Sequence, residues 1–271
     1  MSANVRLSGA TPGRRPHAVG ATITGLIPLV VLLVVWEVVG SADSPFYPAP
    51  SAWWPALFVR GQGEDILPAI IGTGRTFGLG LAAATAIGVL VGVTVGTLDR
   101  LDRAFGPTFE FLRAVPPAAM VPVATLLLGF DQTMKVVVVA IAAIWPILLN
   151  TRAGVRQVDP LLLDSARSMH LSGAATVRKV VLPSVLGEVM LGLRVATPIA
   201  LVITLLVEYL TGVNGLGALI GDAQRTFQPA RVYALIVLAA CMSLVVNTAV
   251  RSVERRVRRR RIGHGPPSGF D

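Results

Sequence analysis

From Thr76 to Leu98 the chain runs for 23 residues without a charged side chain. Such a run leaves few folds open. About 20 apolar residues in a helix cross the hydrocarbon core of a bilayer, with every backbone polar group satisfied inside the helix. Val232–Val250 repeats the pattern over 19 residues. Val136–Thr151, with Pro146 inside it, and Val189–Val207, with Arg194 near its start, are further candidates. Composition fits a polytopic, all-α membrane protein: 53% hydrophobic, 14% charged, mean hydropathy +0.68.

Ala18–Trp36 is also free of charge, and Glu37 follows it. A signal peptide is the alternative there, because Val39-Gly40-Ser41-Ala42 ends in small residues. The run is longer than the roughly 7–15 residues of a signal-peptide core, so it reads as a first span. A connector over 41–75 carries Pro45, Pro48, Pro50 and Pro55 and the aromatics Phe46, Tyr47, Trp53 and Trp54, as at a membrane interface. Ala114–Phe130 is apolar but interrupted by Pro116, Pro117 and Pro122. A broken helix of that kind is tolerated at membrane depth only where protein or water covers the freed carbonyls. These segments add up to six expected transmembrane helices.

In the second span Gly80, Ala84, Gly88, Gly92 and Gly96 recur every fourth residue. The stripe predicts close helix packing, within the chain or, as the alternative, against a second copy.

Six spans place both termini on one side of the membrane. That side receives eighteen of the Lys and Arg residues and the other side five, Lys135 and Arg231 among the five. The positive-inside rule then puts both termini, and the polar stretch 159–183, in the cytosol. Topology and anionic lipid account for the net charge of +9, and nucleic acid is not an expected partner.

No catalytic constellation is present: there is no HExxH, no Walker A loop and no GxSxG. The single cysteine, Cys241, allows no disulfide within one chain, and His17, His170 and His264 lack metal-ligand spacing. The chain is read as a non-enzyme with no metal and no cofactor of its own. Of the ionisable groups in or at the ends of spans, Glu208 reads as an interfacial carboxylate or as part of an outer gate. Arg194 and Glu208 are about 21 Å apart along one helix, so they cannot pair within it.

Asp159–Pro183 is the longest polar segment between apolar runs, yet it reads as two short helices. Asp159 can cap the first with Pro160 at its N1 position, Ser172 can cap the second, and Pro183 is expected to end it. Leu162, Ala166, Met169, Gly173, Val177 and Val180 fall on one helical face.

This stretch resembles the EAA loop of bacterial ABC-importer permeases: Glu-Ala-Ala, three residues, Gly, nine residues, Ile, one residue, Leu-Pro. Asp164, Ser165 and Ala166 stand at the Glu-Ala-Ala positions and His170 at the Gly position. Val180, Leu182 and Pro183 stand at the Ile and Leu-Pro positions. Every spacing matches, although Asp, Ser and His replace Glu, Ala and Gly. A Gly at 170 would allow a left-handed turn, which Gly173 is placed to take over.

Over about residues 20–252 the chain is similar to permeases of the nitrate, sulfonate and taurine importers. The similar segments are Val115-Pro116-Pro117 with Pro122, Leu127-Leu128-Gly129-Phe130, Ala143-Ile144-Trp145-Pro146, Gly192-Leu193-Arg194, and Glu208 with Asn214-Gly215-Leu216-Gly217. The resemblance implies a type I importer permease of the bacterial cytoplasmic membrane, with six spans and cytosolic coupling helices. It implies an N-terminal tail over 1–17, a permease domain over 18–252 with coupling helices at 159–183, and a basic, disordered tail over 253–271. Asp164, Ser165, Ala166, His170, Gly173, Val180, Leu182 and Pro183 would couple to a separate ATPase dimer that binds ATP and Mg. Pro117, Pro122, Trp145, Glu208, Asn214, Gly215 and Gly217 would line or gate the path of a small anionic or zwitterionic solute. A second permease copy, an external solute-binding protein and membrane lipids would be the other partners. The competing class is a self-sufficient carrier or channel.

Overall fold

The structure, a computed structural model, describes residues 18–41, 44, 46–58 and 66–262. The tail expected over 1–17 lies outside them. Along the chain come α1 (Ala18–Val39), α2 (Pro50–Leu57), α3 (Ile66–Thr97) and α4 (Asp99–Ala114). A 3-10 turn (Pro117–Ala119), α5 (Met120–Leu128), α6 (Gln132–Arg156), α7 (Pro160–Ser168) and α8 (Gly173–Thr176) follow. A π-helical turn (Val177–Val181) leads into α9 (Leu182–Thr211), then α10 (Leu216–Arg225) and α11 (Pro229–Ile262). The described residues contain no strand, so the fold is all-helical.

Four helical stretches are long and apolar enough to cross a membrane: Ile66–Thr97, Gln132–Arg156, Gly173–Thr211 and Pro229–Arg256. A fifth results if α4 and Pro117–Leu128, bent by 78° at the prolines, are counted as one broken span. The six expected spans are thus matched by four or five. In α1 the apolar part with described side chains is Ile27–Val39, too short to count by itself. The connectors also hold more structure than expected, since α2, α4 and α10 are helices and α3 begins at Ile66.

α6 runs through the middle of the bundle, with Val138, Val139, Ala142, Ala143, Ile147 and Leu148 all buried. Lipid tails are as apolar as leucine, so close van der Waals packing must hold such helices together. The small-residue stripe of α3 supplies it. Gly80 faces Val139, Gly88 faces Ile147, Gly92 faces Thr151 and Gly96 faces Val155. Contacts repeat in step because the two helices run parallel. A Cβ at Gly80 would lie 2.5 Å from Val139 Cγ1, and one at Gly92 2.8 Å from the Leu148 carbonyl oxygen. Ala84 is fully buried in the same seam. Of the two readings of the stripe, the contacts are those of packing within the chain. On the other flank a Cβ on Gly192 of α9 would fall 2.8 Å from Pro146 O and Ile147 Cα.

One expectation about a helix end is corrected. Pro183 does not end the second helix of the 159–183 stretch: Gly173–Thr211 is one continuous helical run. The π-turn Val177–Val181 lies directly before Leu182 and Pro183. It widens the backbone where the proline ring would otherwise strike the carbonyl four residues back. α11 is helical to Ile262. Extending an existing helix adds one hydrogen bond per residue without a new nucleus, and Arg is a good helix former. Residues 263–271 lie outside the described part.

α1, α2 and α11 meet at an aromatic cluster. The rings of Trp36, Trp53 and Tyr233 lie 5.2–5.4 Å apart, and Trp53 Nε1 donates to the Pro48 carbonyl at 3.0 Å. The Glu37 carboxylate accepts from Ser51 N–H at 3.0 Å and so caps the start of α2.

Candidate functional site

α3, α6 and α9 carry a polar constellation at each end. At one end lie the last turns of α3 and α6, the first turns of α4 and the run from Asp159 into α9. Asp159 Oδ1 accepts from Leu161 N–H at 2.9 Å with Pro160 at N1, as the sequence predicts for the start of α7. Ser172 Oγ caps α8 by accepting from Ala175 N–H at 3.3 Å.

Between the two, α7 closes in a Schellman motif. His170 takes the left-handed conformation, φ +52°, while its N–H donates to Arg167 O at 2.9 Å and Leu171 N–H to Ala166 O at 3.1 Å. The turn is therefore made by His170 itself, not by Gly173, which opens α8. Paired N–H bonds at the helix end hold a non-glycine residue in a conformation it rarely adopts.

The predicted single face is split by this turn. Ala166 is 2% exposed, whereas Leu162 and Met169 are 46% and 72% exposed. What packs inward is Leu163, Val177 and Val181, joining Val155 and Val185 at the ends of α6 and α9. Asp164, Ser165 and His170 all face outward, Val180 is half-buried, and Leu182 and Pro183 are exposed. A cavity of 540 Å³ separates the loop from the ends of α3 and α6, lined by Gly96, Thr97, Val155, Leu163, Leu171 and Val177 among others. Beside it, Arg152 and Arg156 of α6 both pair with Asp102 of α4.

The opposite end holds an ion pair sealed inside the bundle. Glu208 of α9 and Lys135 of α6 have side chains 0% and 1% exposed, with Oε1 and Nζ 3.5 Å apart. Glu208 Oε2 accepts from Thr73 Oγ1 at 2.7 Å and from Gly217 N–H at 3.2 Å. Thr73 Oγ1 in turn accepts from Leu216 N–H at 2.8 Å, and Lys135 donates to Asn214 O at 2.7 Å.

Local backbone makes room for the carboxylate. Gly215 sits at φ +154°, and a Cβ there would fall 2.1 Å from Glu208 Cδ. A Cβ on Gly217 would fall 2.1 Å from Leu205 O. Only glycine fits either place, because nothing on the Glu208 side can retreat from its bonds. Among the expected path residues, Glu208, Asn214, Gly215 and Gly217 thus come together.

Glu208 is not the interfacial carboxylate expected, because the α9–α10 turn folds back over it. Lys135 and Thr73 were not anticipated. Lys135 was counted among outer loop charges, yet it is in the first turn of α6, four residues after the Asp131 cap, whose Oδ1 accepts from Met134 N–H at 2.9 Å. A cation one turn inside an apolar helix is the signal that marks it. Arg231, another of the five outer charges, is 5% exposed. Pro117, Pro122 and Trp145 are not part of this group. Pro122 is exposed, and Trp145, about 15 Å further along α6 by helical rise, packs edge-on against Phe109 at 6.2 Å between centroids.

Residues 84–259, more than half the chain and including the 159–183 loop and the Glu208 turn, match the family described as "Binding-protein-dependent transport system inner membrane component". The chain belongs to this family. It is the membrane permease subunit of an ABC-type importer, a non-catalytic component with several spans. Relatives include the putative aliphatic sulfonates transport permease protein SsuC of Bacillus subtilis strain 168, 28% identical, with 91% of this chain and 89% of that one aligned. The taurine transport system permease protein TauC of Escherichia coli K12 is 27% identical over 84% and 86%. A bicarbonate transport system permease protein, CmpB of Synechocystis, is 26% identical over 93% and 95%. In fold the permease resembles an inward-facing MetNI methionine ABC transporter chain, TM-score 0.63 at 16% identity, covering 74% of this chain and 99% of that one.

Proposed function

We propose that this permease forms the transmembrane path for a small anionic or zwitterionic solute and is driven by a separate ATPase dimer through Asp159–Pro183. The observation that carries the reading is mechanical. Ala166 is buried at the root of α7 while Asp164, Ser165 and His170 face out, and α8 continues unbroken into the span that carries Glu208 in its last turn. A push on the exposed face is therefore delivered to a continuous 39-residue helical run rather than to a loop. ATP and Mg belong to the partner in this scheme, and the coupling residues are Asp164, Ser165, Ala166, His170, Gly173, Val180, Leu182 and Pro183.

The loop end is cytosolic in this reading, together with both termini, as the distribution of Lys and Arg supports. An external binding protein delivers the solute to the opposite end, where Glu208, Asn214, Gly215 and Gly217 form a closed polar plug. A second permease copy completes the path. Relatives named for sulfonates, taurine and bicarbonate support a small solute with a negatively charged oxygen group.

The buried Lys135–Glu208 pair favours one other reading, a carrier coupled to protons, since intramembrane ionisable groups mark such relays. Against that, the pair is spoken for by Thr73, Asn214 and Gly217 and holds a turn shut. The test is Ala166→Arg in the reconstituted complex. Solute-stimulated ATP hydrolysis should be lost, while membrane insertion and assembly of the permease are retained. Full coupling in that variant, or a purified permease that transports without any ATPase, would overturn the proposal.

A further inference from the structure

Beyond the coupling loop and the Glu208 plug, one charged cavity has no part in the function proposed so far. Arg194 of α9 and Arg251, Glu254 and Arg255 of α11 line a pocket of 330 Å³. That is roughly ten water volumes at ~30 Å³ each. Three guanidinium groups face one carboxylate. Glu254 Oε1 lies 3.9 Å from Arg194 Nη1, long for an ion pair, with the Arg194 side chain 50% exposed. One carboxylate can neither balance nor saturate three guanidiniums, so the pocket keeps a net positive charge and free N–H donors.

Its depth is set by the helices. Arg251 is the first charge after the apolar run Val232–Val250, and Arg194 precedes the apolar run Val195–Val207. Arg251 therefore stands where an apolar run gives way to charge, and Arg194 reaches it from five residues inside the candidate span Val189–Val207. Toward the middle of each helix, large apolar side chains stand exposed: Val195 and Val202 on α9, at 44% and 63%, and, one turn beyond the exposed Thr248, Leu244 and Val245 on α11, at 69% and 68%. A basic pocket above with an apolar wall below has the shape of a lipid: a phosphodiester at the top, acyl chains beneath it.

We infer that this pocket binds the phosphodiester headgroup of an anionic phospholipid, with Arg251 and Arg255 as the phosphate donors and Arg194 closing the site from α9. Arginine suits the task because its planar fork bonds two phosphate oxygens at once. Basic pockets between spans on the cytosolic side attract such headgroups. The bound lipid clips α11 to the continuous helix that starts in the coupling stretch. The inference rests on the orientation proposed above, and binding is measured independently of transport, so its failure is separable from failure of the importer reading.

The experiment uses the full-length permease in nanodiscs or micelles, probed with phosphatidylglycerol, phosphatidylcholine and inorganic phosphate, and read by native mass spectrometry. Phosphatidylglycerol should be retained at least tenfold better than phosphatidylcholine. The double variant Arg251→Gln/Arg255→Gln should cut that retention about tenfold. Arg100→Gln/Arg103→Gln, which removes the same charge from exposed positions on α4, should change it less than twofold. Glu254→Gln should raise retention, since it removes the carboxylate that, among the described residues, lines this pocket beside the arginines, and a gain cannot come from misfolding. Equal losses in both double variants would reduce the effect to bulk charge and overturn the site. Displacement of the lipid by millimolar phosphate would make it a free-anion site and overturn the lipid assignment, as would a loss in Glu254→Gln.

Discussion

Replacing Lys135 by Met tests whether the buried pair holds the far end of the bundle shut. At 3.5 Å two unit charges attract by about 5 kcal/mol at an effective dielectric of about 20. Desolvation of both groups offsets much of that, so the pair as a whole is worth little compared with an apolar replacement. Removing one partner is different, because Glu208 stays in a site with 0% exposure and no counter-charge. Breaking a buried pair in this way costs about 3–5 kcal/mol. Loss of the bond from Lys135 to Asn214 O is contained in that figure.

Glu208→Gln strands the ammonium instead and should cost a similar amount. The double variant Lys135→Met/Glu208→Gln carries no charge, and its amide oxygen can still accept from Thr73 and Gly217. It should therefore be no less stable than the worse single variant, giving a coupling energy of about 2 kcal/mol or more, where independent sites add within about 0.5 kcal/mol. Equilibrium unfolding of the purified full-length permease in mixed micelles measures all three. Additive costs would refute the argument, because they would mean that the two side chains are not each other's counter-charge.

Two further outcomes follow from packing and backbone geometry. Gly92→Ala drives a Cβ to 2.8 Å from the Leu148 carbonyl and should cost about 1–3 kcal/mol in the same unfolding assay. Gly74→Ala on the same helix meets nothing within 4 Å and should be neutral or stabilising by up to about 1 kcal/mol. At φ +52°, His170→Gly should relieve the left-handed turn and slow amide exchange at Leu171. His170→Val should destabilise the loop by about 1–2 kcal/mol and speed that exchange.

Much of this permease is written locally. Charge-free runs force helices because a bilayer offers the backbone no other partner, so the long spans, the proline break before α5 and the caps at Asp159 and Ser172 could be read directly. Spacing alone carries the resemblance of 159–183 to a coupling loop, even with Asp164, Ser165 and His170 in place of the usual residues.

Other features depend on elements distant in sequence. Whether the glycine stripe of α3 faces α6 or another chain was decided by the Val139, Ile147, Thr151 and Val155 ridge. Lys135 and Glu208 stand 73 positions apart, each looking like a surface charge at the end of a run. Only the fold brings them together under the Asn214–Gly217 turn, and burial turns two ordinary charges into a mutual requirement. Local backbone physics acts within a few residues and is legible in the sequence, whereas desolvation depends on every neighbour and exists only once the helices have packed.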